Sequence, residues 1–127
     1  MNTTRAGSAT GETGTDERDW TPVCLLEQIE EHGGVAALLP GGEQVAVFRL
    51  PGDEVYALSH IDPFSGAAVL ARGIVGDTLG IPTVASPLHK QQFDLRTGRC
   101  LDDESVRVAS YQVHIDGGIV AVGGRRR

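Results

Sequence analysis

Val84-Ala85-Ser86-Pro87-Leu88-His89-Lys90-Gln91-Gln92-Phe93-Asp94-Leu95 places a polar loop between two short apolar segments. The segment leading into it, Ile81-Pro82-Thr83-Val84-Ala85, reads as a strand. Pro82 favours an edge position there, because proline cannot donate to a hydrogen-bond ladder. Residues 86–90 then read as the loop and residues 91–95 as the next strand. Arg96-Thr97-Gly98 supplies a turn and Arg99-Cys100-Leu101 a further short segment. Short strands separated by turn residues predict antiparallel pairing and no helix in this half of the chain.

The same grammar continues on both sides. Upstream, residues 20–26 read as a first strand and residues 27–32 as a turn or a single helical turn. Gly33-Gly34 and Gly41-Gly42 stand at hairpin spacing around the apolar run Val35-Ala36-Ala37-Leu38-Leu39, and paired glycines suit primed turns. Strands are expected at Glu43-Gln44-Val45-Ala46-Val47-Phe48-Arg49-Leu50 and Glu54-Val55-Tyr56-Ala57-Leu58, with Pro51-Gly52-Asp53 between them. Residues 59–72 lack a strand period and are expected to form a structured loop, and residues 77–80 a turn. Downstream, Tyr111-Gln112-Val113-His114-Ile115 alternates cleanly and turns through Asp116-Gly117-Gly118 into Ile119-Val120-Ala121-Val122. The fold class is therefore all-β, an antiparallel β-sandwich or small barrel.

Three segments are expected: a flexible leader at 1–19, a folded domain at 20–123 and a basic tail at 124–127. The leader is almost devoid of apolar side chains and cannot offset the entropy of ordering. Hydrophobic residues make up 40% of the whole, enough for one core. A net charge of −6 argues against nucleic acid, since phosphate contact needs a basic face, and Arg125-Arg126-Arg127 is the only basic run. No apolar run reaches the roughly 20 residues of a bilayer span. No basic start leads into an apolar stretch as in a signal peptide, so the expected location is the cytoplasm. There Cys24 and Cys100 would be reduced thiols.

The chain resembles Rieske-like domains, and among them the small-subunit family of NAD(P)H-dependent assimilatory nitrite reductase. The likeness is carried by Val45-Ala46-Val47-Phe48-Arg49-Leu50, Tyr56-Ala57-Leu58, Ile61-Asp62-Pro63-Phe64, Val69-Leu70-Ala71-Arg72-Gly73 and Ala85-Ser86-Pro87-Leu88 running on to Phe93-Asp94-Leu95. It implies a Rieske-like sandwich or barrel with two loops at one tip. A Rieske centre needs two thiolates on one iron and two imidazoles on the other. The resemblance puts Asp62 and Phe64 at the ligand positions of the first loop and Ser86 and His89 at those of the second. Phe64 has no donor atom and Ser86 offers only a hydroxyl, so the ligand set is degenerate. The expectation is no cluster, no metal and no catalytic residue on this chain. The two loops become a packed tip, with Asp62 capping backbone N–H groups and Phe64 filling the space left by the cluster. The tip is also expected to form part of a partner surface.

The partner that the resemblance implies is the nitrite reductase large subunit, carrying FAD, a [4Fe–4S] cluster and sirohaem. Two other readings compete. A Rieske-type ferredoxin serving an oxygenase would share the fold but needs the missing ligands. A small iron-dependent oxygenase would use His60, Asp62 and His89, the residue types of a two-histidine, one-carboxylate site. Remaining motifs carry no chemistry: Ser86 and Ser110 lack a nucleophile context, Asp102-Asp103-Glu104 is a solvated turn, and Trp20, Tyr56 and Tyr111 are core aromatics.

Overall fold

The computed structural model describes residues 20–126, so the expected leader lies outside the described residues. Nine strands follow in chain order: β1 Thr21–Leu25, β2 Gly33–Leu38, β3 Gln44–Leu50, β4 Glu54–Ser59, β5 Ile74–Thr78, β6 Ile81–Ala85, β7 Gln92–Asp94, β8 Ser110–Asp116 and β9 Ile119–Arg125. The only helical pieces among the described residues are 3₁₀ turns at Leu26–Gln28, Pro51–Asp53 and Leu70–Arg72. Six strands form one antiparallel sheet in the order β1-β9-β8-β4-β3-β2, and β5-β6-β7 form a second. Together they make a nearly closed barrel.

The run Val45-Ala46-Val47-Phe48 shows why the large sheet curls. All four side chains are buried, although successive residues of a strand point to opposite faces. Val45 and Val47 pack with Ala57, Tyr111, Val120 and Val122 inside the curl. Ala46 and Phe48 turn the other way and pack with Leu58, Leu70, Val84, Phe93 and Leu95, the core shared with the small sheet. A strand buried on both faces reads as a continuous apolar run, and this one does.

Three differences from the sequence expectations have physical causes. Gly33 and Gly34 are not a turn but the first two residues of β2, paired with Arg49 and Phe48. Gly34 is there because of close approach: a Cβ on it would lie 2.8 Å from both the Phe48 ring and the Ala71 carbonyl oxygen. The strand β5 falls where no strand was expected and takes in Asp77. It is an edge strand with exposed Ile74, Gly76 and Asp77, held by five pairings with β6 and by Val75 alone against the core. The expected basic tail is partly strand, since β9 runs on to Arg125, whose guanidinium lies 2.8 Å from Glu43 and over the Tyr111 ring.

Of the expected core aromatics, Tyr111 is buried and Tyr56 packs half-buried against the core. Trp20 instead stacks on His114, ring centroids 4.0 Å apart and nearly parallel, over Gly123. Cys24 and Cys100 are both free thiols.

Candidate functional site

Two loops meet at one end of the barrel. The first leaves β4 at Ser59 and runs to the 3₁₀ turn at Leu70–Arg72, and the second joins β6 to β7. Each is closed by its own backbone. In the first, Asp62 N–H donates to Ala67 O (2.8 Å) and Gly66 N–H to Asp62 O (2.7 Å). In the second, Ser86 N–H donates to Gln91 O (2.9 Å) and Lys90 N–H to Ser86 O (3.0 Å).

Among the described residues, one side-chain hydrogen bond joins the two loops. Ser86 Oγ donates to Asp62 Oδ2 at 2.6 Å, and both residues are 0% exposed. The other carboxylate oxygen, Oδ1, accepts from the Phe64 N–H at 2.8 Å, so Asp62 caps its loop as expected. Burial alone would raise the pKa of this carboxyl. The bonds from Ser86 and from the Phe64 and Ser65 N–H groups, with the charge of His89, outweigh it and hold the group below the usual carboxylate range. Asp62 is thus a buried carboxylate kept ionised by donors that the two loops supply.

Phe64 is 38% exposed, with its ring tilted against that of the buried Phe93 at 6.4 Å. His89 is exposed. His60 is 7% exposed, and its Nδ1 accepts from the Ala71 N–H at 3.1 Å, which places its proton on Nε2. Burial, reinforced by the charge of Arg72, pushes the His60 pKa down and keeps the ring neutral. Among the described residues, no three His, Cys, Asp or Glu side chains stand close enough to hold a metal ion, so His60, Asp62 and His89 do not assemble into an iron site.

A [2Fe–2S] cluster does not fit these residues. At the two positions matched to thiolates, Asp62 and Ser86 are already bonded to each other, and Phe64 offers no donor. Only the His89 imidazole is of the right chemistry. Sequence reasoning missed the Asp62–Ser86 bond because it treated both residues as lost ligands. The signal available was their complementarity, an acceptor at one position and a donor at the other.

The titrations predict acid lability with two limbs. The Asp62 pKa is depressed, as is that of Asp94, which burial would raise but the Arg96 side chain and N–H hold down. Each therefore contributes stability above its unfolded pKa near about 3.9, lost as pH falls through the lower native value. His60 has the opposite chemistry and the same sign. Below its unfolded pKa of about 6.5 the unfolded chain binds the extra proton, so stability already falls there. Melting temperatures measured from pH 7 to 3 are expected to decline in both ranges. His60→Gln, which keeps an acceptor for Ala71, is expected to flatten the upper limb only; an unchanged upper limb would rule out this role for His60.

A family model described as the Rieske-like [2Fe-2S] domain matches residues 19–123. The nitrite reductase (NADH) small subunit of Salmonella typhimurium is 44% identical over 106 residues, covering 83% of this chain and 97% of that protein. The nitrite reductase [NAD(P)H] large subunit of Klebsiella oxytoca contains a stretch 42% identical over 119 residues; this is 94% of the present chain but only 12% of the Klebsiella protein. Among solved structures, an NADH-dependent nitrite reductase small subunit from Mycobacterium tuberculosis superimposes with a TM-score of 0.80 at 45% identity, over 85% of this chain and 95% of that one.

Proposed function

The chain belongs to the Rieske-like [2Fe–2S] domain family and, within it, to the small subunits of NAD(P)H-dependent nitrite reductase; from that membership we propose that it is a non-catalytic subunit carrying no cluster of its own. The observation that carries this is the 2.6 Å bond between Ser86 and Asp62. Two buried polar groups that satisfy each other leave nothing to ligate iron, and separating them would cost the desolvation of both. The same bond disfavours the Rieske-type ferredoxin reading, which needs thiolates at those two positions.

In this reading the chain supports a large subunit that binds FAD, a [4Fe–4S] cluster and sirohaem and reduces nitrite to ammonium in the cytoplasm during nitrate and nitrite assimilation. The Klebsiella relative supports the partnership, because there a closely similar stretch is part of the large-subunit polypeptide itself. A domain held covalently beside a catalytic body in one protein is expected to dock beside it in another. The contribution of this chain is assembly and stability, and its own residues pass no electrons.

Two measurements test this. The purified chain, expressed with iron and sulfide in supply, is expected to be colourless and to lack the visible absorption and EPR signal of a Rieske centre; a coloured, EPR-active preparation would overturn the reading. The large subunit made without this chain is expected to lose stability or activity, and one fully active and stable alone would refute the supporting role.

A further inference from the structure

The two tip loops repeat one device, and it leads from the buried pair outward to two exposed apolar side chains. In the first loop, Asp62 accepts the N–H of the residue two positions on, Phe64, at 2.8 Å. In the second, Ser86 Oγ accepts the N–H of the residue two positions on, Leu88, at 3.3 Å. Because Asp62 and Ser86 are also bonded to each other, one buried unit fixes the backbone of both residues at once. Phe64 is 38% exposed and Leu88 48%. The apolar surface that Phe64 and Leu88 leave in water stabilises nothing in an isolated chain, whereas a backbone fixed beneath it lowers the ordering cost of binding.

We propose that the Asp62–Ser86 pair is a mount that presents Phe64 and Leu88 as the apolar centre of the surface docking on the nitrite reductase large subunit. The inference rests on the small-subunit reading above. Topology favours this occupant. The strand β1 starts at the loop end, beside Val122 and Gly123, and runs away from the loops. The strand β9 ends at that same end: Arg126 N–H bonds Ser110 O, Ser110 pairs with Leu58, and Ser59 follows at the root of the first loop. Wherever this fold is joined to a large subunit in one polypeptide, as the Klebsiella likeness indicates, either connection leaves from the end that carries Phe64 and Leu88. In the exposed parts of the two loops the fixed charges are Arg72 and Lys90, both positive, which fits an apolar recess with an acidic rim on the partner.

The test uses the full chain and the purified, cofactor-loaded large subunit, with binding measured by titration and folding by thermal melting. Phe64→Glu with Leu88→Glu is expected to weaken binding about 100-fold or more while the chain stays folded at the assay temperature, its melting curve lowered only by loss of the Phe64 contact with Phe93. Phe64→Ala with Leu88→Ala, which adds no charge, is expected to weaken it about 10-fold. Leu79→Glu is the control. Leu79 is 97% exposed at the β5–β6 turn, the opposite end of β6 from Ser86, and this substitution is expected to leave binding unchanged. Wild-type binding that survives both double variants overturns the docking surface and leaves the small-subunit reading intact. A wild-type chain that does not bind the large subunit overturns that reading and this inference together. A dimer of the chain alone, dissolved by the same double variants, would overturn the inference in favour of a second copy as occupant.

Discussion

Asp62→Ala is expected to destabilise the fold by about 3 kcal/mol, read as a drop of roughly 15 °C in melting temperature for a domain of this size. The substitution removes a charge-assisted acceptor and strands two partners, the fully buried Ser86 hydroxyl and the part-buried Phe64 N–H. Most of the loss is the desolvation of those orphaned donors, not the bonds themselves. Asp62→Asn keeps an acceptor for Phe64 and lets the Ser86 hydroxyl rotate to accept from the amide, so about 1 kcal/mol is expected. Ser86→Ala should fall between the two. The double variant Asp62→Ala with Ser86→Ala is expected to cost less than the sum of its parts, with a coupling of about 1 kcal/mol, because the second change removes a group the first had stranded. Chemical denaturation of the four proteins checks this. Additive losses, or an Asp62→Ala variant within about 0.5 kcal/mol of wild type, would show that the tip is not held together by this pair.

Gly98→Ala is expected to cost about 4 kcal/mol, from overpacking and an unfavourable backbone conformation together. Gly98 has φ +85°, a region that side chains disfavour, and a Cβ there would be driven into the Val108 carbonyl oxygen. Neither party can retreat. Gly98 N–H donates to Asp94 O at 2.7 Å, and Val108 N–H donates to Gly98 O at 2.8 Å. The turn is pinned further by Arg96, whose guanidinium forks onto the Asp94 carboxylate at 3.1 and 3.0 Å. The same substitution at Gly80, which has a similar φ of +86° but open space around it, should cost only the conformational share, about 1 to 2 kcal/mol. Urea denaturation of both variants separates the contributions; equal losses would mean that contact with Val108 adds nothing.

The elements legible in the sequence were those whose pattern is local. The strand β8 alternates and β9 follows a glycine pair, and both stand where that pattern puts them. The strand β5 was not legible, because an edge strand with Gly76 and Asp77 in it owes its conformation to its neighbour β6. Gly33-Gly34 was misread because a glycine needed for close approach to Phe48 is indistinguishable in sequence from one needed for a turn. At the site, the chemistry of each position could be read and the placement could not. That Asp62 would cap its own loop follows from a contact two residues away, whereas the place of Phe64, partly exposed with its ring against Phe93, depends on packing that no local pattern encodes.

By itself the sequence determined that the fold is all-β and that three of its four ligand positions lack the donors a Rieske centre needs, since donor chemistry belongs to the residue type wherever the residue lies. Only the tertiary structure decided that Asp62 and Ser86, 24 positions apart, meet at 2.6 Å, and that Phe64 and Leu88 face outward above them. The reason is that such a meeting is set by where the ends of β4 and β6 are brought by packing of the two sheets around Phe48, Leu70 and Phe93, and no local pattern encodes that distance.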